Sequence, residues 1–211
     1  CTDSTLESDI SSRSVGLVAH ANRRLSRGLQ FQTNYIYAHA SDNGQGSVTA
    51  FSPTTIVLDP FNLAAEQSRS SFEIRHRFVA SFIYQPGDFT DSSPFIRNVF
   101  GGYTLAPIVT VSSGQPFTPF LSGSAFTPPG VVRAGNRLLG AGGASRPFFE
   151  TRNAFQFPRT ANIDLRLSRR FKLGEYGKLE VLGEVFNLLN HVNVTGLNNT
   201  EYNNTNTQLV K

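Results

Sequence analysis

Six segments of alternating apolar and polar residues between positions 11 and 190 predict an all-β fold. The architecture they imply is an antiparallel, up-and-down transmembrane β-barrel segment, about six strands of a larger barrel. Two further observations support it. The gaps between segments alternate short and long, as expected of a chain with tight turns on one side of a membrane and long loops on the other. The polar faces carry Arg, Glu, Asp or Gln several times per strand, which suits a wet barrel interior.

In the first segment Val15, Leu17, Ala19 and Ala21 alternate with Gly16, Val18, His20 and Asn22. The turn Ser26-Arg27-Gly28 follows, and Gly28 can take the positive φ of a hairpin corner. The second segment has Leu29, Phe31, Thr33, Tyr35 and Tyr37 on one face and Gln30, Gln32 and Asn34 on the other. Its length suffices to span a bilayer when tilted. Residues 42–71 contain Asp42-Asn43-Gly44, Pro53 and Pro60 and read as a long loop. The start of that loop is a plain turn, because a calcium loop needs a later bidentate Glu that it lacks.

The third segment sets Ile74, His76, Phe78, Ala80, Phe82 and Tyr84 against Glu73, Arg75, Arg77, Val79 and Ser81. After Pro86-Gly87-Asp88 the fourth runs from about Phe100 to Ser112, with Tyr103, Leu105, Val109 and Val111 together. Pro107 falls on that apolar face and lacks a ladder donor, so a bulge is expected there. Residues 114–158 hold six of the 11 prolines and seven of the 18 glycines, and read as a second long loop. The fifth segment opposes Ala161, Ile163, Leu165 and Leu167 to Asn162, Asp164, Arg166, Ser168 and Arg170. The sixth opposes Leu179, Val181, Gly183 and Val185 to Lys178, Glu180, Leu182 and Glu184. The Asn- and Thr-rich tail from Asn193 reads as another loop.

Centring the last turn on Glu175 puts Arg170 opposite Glu180 and Arg166 opposite Glu184, while Phe171 meets Leu179 and Leu165 meets Val185. One register satisfies both faces, and a slip by one residue destroys both sets. A face this charged cannot be a dry core, so it borders water or polar protein and the opposite face meets lipid. Arg169, on the greasy face near the turn, can snorkel to the interface. Aromatics gather near strand ends, where the girdles of a membrane barrel lie. Closure needs at least eight strands, and an open sheet in lipid leaves unpaired edges, so further strands are expected. The loops at 42–71 and 114–158 are then outside, and the turns near 27, 90 and 175 face the periplasm.

Composition bounds the function. At 39% hydrophobic and 16% charged the 211 residues are not those of a disordered chain, and no apolar run reaches the roughly 18 residues of a membrane helix. The net charge of +4 comes from 16 Arg and 3 Lys that are scattered rather than clustered, so no nucleic-acid partner is expected. Cys1 is the only cysteine, which rules out a disulfide framework within the chain; it fits a fragment boundary better than a lipidated start. With no initiator Met or signal segment, the sequence reads as an excerpt of a longer precursor, 1–211 being part of one barrel domain.

Several stretches resemble the barrel strands of TonB-dependent receptors, above all the Oar-like outer-membrane group. They are Phe72-Glu73-Ile74-Arg75-His76-Arg77-Phe78-Val79-Ala80-Ser81-Phe82, then Gly101-Gly102-Tyr103 leading to Ser113-Gly114-Gln115-Pro116-Phe117-Thr118. Asp164-Leu165-Arg166-Leu167-Ser168-Arg169-Arg170-Phe171 and Glu184-Val185-Phe186-Asn187-Leu188-Leu189-Asn190-His191 resemble that family's near-terminal hairpin. The resemblance covers roughly residues 12–195. It implies a 22-stranded barrel with a plug, residence in the bacterial outer membrane, and nutrient import driven by the inner-membrane TonB complex. This sequence shows no plug domain, no TonB box and no closing aromatic-ended strand, so gating and energy coupling are not placed on it.

On this reading the lumen-facing candidates are Arg75, Arg77, Asp164, Arg166, Arg170, Glu180 and Glu184, which hold strands or a plug in register. Ligand selection is expected in the outer loops. The partners are outer-membrane lipid, the rest of the barrel, a plug and the TonB complex; no cofactor or metal is expected. Alternatives are an outer-membrane barrel enzyme or porin, or a secreted β-sandwich binding protein. No catalytic spacing is present, and His20, His39, His76 and His191 lack the pairing of a zinc site, so an enzyme is not expected.

Overall fold

The computed structural model describes residues 10–43, 63–87, 93–95, 101–123, 150–198, 200–205 and 208–210. In chain order the strands are β1 (Ser12–Ser26), β2 (Leu29–Asp42), β3 (Ser68–Arg69), β4 (His76–Tyr84), β5 (Tyr103–Ser112) and β6 (Pro116–Phe117). They continue with β7 (Phe120–Gly123), β8 (Phe155–Gln156), β9 (Thr160–Lys172), β10 (Lys178–Val185), β11 (Thr200–Thr205) and β12 (Gln208–Val210). The long strands form one sheet in the order β1-β2-β4-β5-β9-β10, with β3 paired to the end of β2. Every neighbouring pair is antiparallel. Spatial order follows chain order, so the sheet is the up-and-down meander that the alternation predicts.

The registers sort the side chains into two faces. Tyr35 pairs with Ala19 and Phe78, Phe78 with Val111, and Val111 with Ala161. Lower on the sheet Phe31 pairs with Phe82, Pro107 with Leu165, and Leu165 with Val185. One face is therefore apolar from β1 to β10. The other carries His20 against Asn34, Gln32 against Ser81, Thr110 against Asn162 and Arg166 against Glu184. Because the side-chain period is two, each long strand contributes to both faces; the β1–β2 register shifts once, between Arg23 and Ser26 beside the turn.

Nothing covers the apolar face among the described residues. Ala80, at 1% exposure, is the buried hydrophobic residue, shadowed by its pair partners Thr33 and Val109. Leu17, Tyr37, Phe78, Tyr84, Leu167, Phe171, Leu179 and Val185 are all exposed. A sandwich would bury such a face under a second sheet; among the described residues no second sheet lies over it.

Two turns close hairpins on one side of the sheet. Arg27 (φ 51°) and Gly28 (φ 77°) make a two-residue turn whose twist matches the flanking strands. Gly28 is required twice over. A Cβ there would lie 2.0 Å from the carbonyl oxygen of Gln85, whose own N–H donates to the Gly28 carbonyl at 2.7 Å. The second turn, between β9 and β10, is a single 3-10 turn over Gly174–Tyr176, closed by the Leu173 N–H donating to Gly177 O at 2.9 Å.

Three expectations are corrected. Pro107 makes no bulge. Ser81 pairs with Ile108 and Tyr84 with Leu105 in one unbroken register, while the intervening Phe82–Ile83 and Ala106–Pro107 do not pair. The ladder to β9 continues through Pro107 opposite Leu165. The missing donor is thus turned toward β4, where the sheet opens locally instead of inserting a residue. The tail is not all loop: β11 lies between β12, antiparallel, and β7, parallel, in a separate three-stranded sheet. The second long loop contributes β6 and β8, which pair with each other, and β7. Residues 44–62 and 124–149 of the two expected outer loops lie outside the described residues.

Candidate functional site

The polar face forms a wall with a recess. A cavity of about 340 Å³ is lined by Gln30, Gln32, Ser81, Asp164, Arg166 and Glu184, by Ile83, Ala106, Ile108 and Phe186, and also by Phe82, Leu165 and Val185 of the apolar rows. These residues come from β2, β4, β5, β9, β10 and the residue after β10. Flat strands about 4.8 Å apart would spread them over roughly 19 Å. Sharing one cavity means that the sheet curls with its polar side concave. Amide, hydroxyl, guanidinium and carboxylate groups there offer both donors and acceptors to a polar solute.

The predicted lumen residues divide by role. Arg166 Nη1 is 3.9 Å from Glu184 Oε1, and Arg170 stands opposite Glu180 in the register. Arg77 pairs in the ladder with Ile36 and Ser112 on the polar face. Asp164 is committed to structure: its Oδ1 accepts from Asn162 Nδ2 at 2.7 Å and from the Asn187 N–H at 2.9 Å. Asn187 (φ 49°) begins an excursion after β10 that rejoins β9, where Leu188 N–H donates to Ile163 O and Asn193 bonds both polar groups of Ala161. Arg75 departs from expectation. β4 begins at His76, so Arg75 precedes the strand and its guanidinium goes to Glu73, at 2.9 Å.

That carboxylate centres a network that sequence reasoning missed. Glu73 is 1% exposed. Its Oε2 accepts the Ala40 N–H at 3.1 Å and bonds His39 Nδ1 at 2.8 Å; its Oε1 accepts Arg69 Nε and Arg75 Nε, both at 3.1 Å. Burial alone pushes the Glu73 carboxyl up, but the Ala40 N–H and the Arg69 and Arg75 cations outweigh it and hold the group below its ordinary value. Beside it, buried Arg152 bonds the Asp42 carboxylate, the Asp42 carbonyl at 2.6 Å and the Glu66 carbonyl at 3.3 Å. Asn153 (φ 57°) donates to Arg69 O at 2.6 Å and its N–H to Thr118 Oγ1 at 3.0 Å. Buried charge survives only when paired. Together these bonds staple segments 63–75, 116–119 and 150–153 to the end of β2 opposite the tight turns. The one trace in the sequence is the spacing of Arg69, Glu73 and Arg75; Arg152 carries no such mark.

At the turn end a smaller recess of about 180 Å³ is lined by Gln85, Gly102, Thr104, Arg170, Lys172 and Lys178. Among the described residues no cluster of His, Cys, Asp and Glu is arranged to hold a metal ion. No helix there is long and apolar enough to cross a membrane, which leaves crossing by strands open.

A family model for an outer membrane beta barrel domain matches residues 4–209. No curated protein and no solved structure gives a significant match.

Proposed function

The chain belongs to the outer membrane beta barrel domain family and resides in the bacterial outer membrane, and from that premise we propose that it is one arc of a TonB-dependent receptor for nutrient uptake. The single observation that carries the reading is the cavity shared by five successive strands, which makes the charged face the concave one. A concave polar wall, backed by an apolar face that no described residue covers, fits the cross-section of a barrel with a hydrated interior.

The receptor reading draws on the resemblance of the third, fourth and last two long strands to that family. It is supported by the buried Glu73 and Arg152 networks, which tie segments 63–75 and 150–153 to one end of the wall, where loops select ligand. β1 and β10 are the edges of the sheet, and lipid does not tolerate open edges. Further strands therefore flank them, and a plug fills the lumen against Arg77, Arg166, Arg170, Glu180 and Glu184. Arg75 and Asp164 serve the architecture. The protein acts by binding and passage rather than by catalysis.

Uptake measurements with the full-length protein test this. Accumulation of its nutrient should stop when the TonB complex is inactivated, and the purified protein should show no steady conductance in planar bilayers. Large ohmic currents would identify a porin instead, and lipid or glycan hydrolysis would identify an enzyme.

A further inference from the structure

We propose that the recess at the turn end of the polar face binds an oxyanion, the phosphate or carboxylate group of a small solute, through Arg170 and Lys178. The proposal rests on the reading of the polar face as lumen-facing, and it makes the solute that leaves toward the periplasm an anion. Three observations carry it.

First, the recess is built from strand ends. Gln85 follows β4, and its N–H donates to Gly28 O at 2.7 Å beside the first tight turn. Gly102 precedes β5, and its carbonyl accepts the Arg170 N–H at 2.9 Å. A Cβ on Gly102 would lie 2.6 Å from Arg170 O, so the backbone carrying Arg170 is held close against the start of β5. Gly87 lines the other side, where nothing lies within 4 Å of the place its Cβ would take, and that side stays open to a solute.

Second, Arg170 does not use the carboxylate that the ladder offers it. Arg170 and Glu180 are register partners but form no ion pair, whereas Arg166 and Glu184 do. Arg170 instead lines the recess together with Lys178, and Glu180 does not. Third, among the described residues no carboxylate lines the recess, and neither Arg170 nor Lys178 has a side-chain hydrogen bond or ion pair. Lys172 also lines it but has an interaction of its own, so it is not counted among the donors.

Two like charges in one small recess repel, and an oxyanion between them replaces that repulsion with two charge-assisted hydrogen bonds. The guanidinium offers a planar fork of N–H donors to a phosphate or carboxylate, and the ammonium offers a compact charge. The Gln85 amide and the Thr104 hydroxyl supply donors for the remaining oxygens. A lipid phosphate has the same chemistry, but the recess lies on the side of the sheet away from the acyl chains.

The test is isothermal titration of the full-length protein in detergent with inorganic phosphate and with citrate. The wild-type protein should bind one or both, more weakly as salt is raised. Arg170→Gln and Lys178→Gln should each lower the affinity roughly tenfold, the scale of one charge-assisted hydrogen bond. Arg27→Gln, at the other turn, should leave it unchanged. Binding of neither probe overturns the site, as does equal affinity in wild type and both recess variants or an equal loss in Arg27→Gln. A phospholipid carried by the wild type and lost from both variants, read by native mass spectrometry, overturns it too, because a headgroup would then be the ligand. A nitroxide at Glu180 separates the two ways of failing. Lipid-like oxygen accessibility there sinks the lumen assignment and the site with it; low oxygen accessibility with neither probe bound sinks the site alone.

Discussion

Arg166 and Glu184 face each other across the last hairpin, Nη1 to Oε1 at 3.9 Å, on the concave side of the sheet. Four residues nearer the turn Arg170 opposes Glu180, and on the reverse side Phe171 opposes Leu179. The hairpin is thus specified twice, by charge on one face and by hydrocarbon on the other.

Both partners of the Arg166–Glu184 pair are nearly half exposed, at 49% and 44%, so the pair itself contributes little. A double-mutant cycle with Arg166→Leu and Glu184→Leu is expected to give a coupling of about 0.2–1 kcal/mol. A coupling above about 3 kcal/mol, read from urea unfolding in detergent, would mean that the lumen is dry.

Glu73 should behave oppositely. Glu73→Leu leaves Arg69 and Arg75 without their shared carboxylate and the Ala40 N–H without its acceptor, and should cost about 3–5 kcal/mol. A sign follows for pH. The folded carboxyl titrates below its unfolded value, so its stabilisation is full above that value, about 4.5, and drains away as pH falls through the lowered folded value. Thermal unfolding from pH 7 down to pH 3 should show this loss in the wild type and not in Glu73→Gln.

The two turn glycines should differ. Gly28→Ala meets the Gln85 carbonyl oxygen at 2.0 Å as well as an unfavourable φ, whereas Gly174 (φ 64°) has nothing within 4 Å of a new Cβ. Gly174→Ala should cost only the left-handed penalty, about 1–2 kcal/mol. Gly28→Ala should cost more, because the strand end of β4 must move. Comparing the unfolding midpoints of the two variants checks the order.

How much of this could be read beforehand depended on whether the information was periodic. Arg170, Glu180, Phe171 and Leu179 carry a period-two pattern on both faces, and their register was legible to the residue. The partnership of Arg152 with Asp42 spans 110 positions and follows no period, so only the folded loops reveal it. Asp42, read as the start of a plain turn, instead closes β2 and takes that arginine. Pro107 was misjudged for a physical reason. A missing donor can be absorbed by opening one ladder, since the other, to β9, stays paired through Pro107. The strand that Thr200–Thr205 forms has no apolar alternation to announce it.

Depth along the apolar face gives a further prediction. Leu165 lies mid-strand, opposite Pro107 and Val185, while Leu179 lies one residue into β10 beside the turn. Leu165→Arg should destabilise by about 2–4 kcal/mol and Leu179→Arg by no more than about 1 kcal/mol, when unfolding is followed in lipid. Equal costs would contradict the assignment of these positions to mid-bilayer and interface.

The most direct test is a nitroxide scan of residues 161–168 on β9, in the full-length protein in bilayers, reading collision with oxygen and with a water-soluble nickel chelate. The account predicts alternation at every residue: Ala161, Ile163, Leu165 and Leu167 oxygen-accessible, Asn162, Asp164, Arg166 and Ser168 reached by the chelate or shielded from both. Chelate access at Leu165 and Leu167 equal to that at Arg166 would contradict it, because both sides of the strand would then be in water.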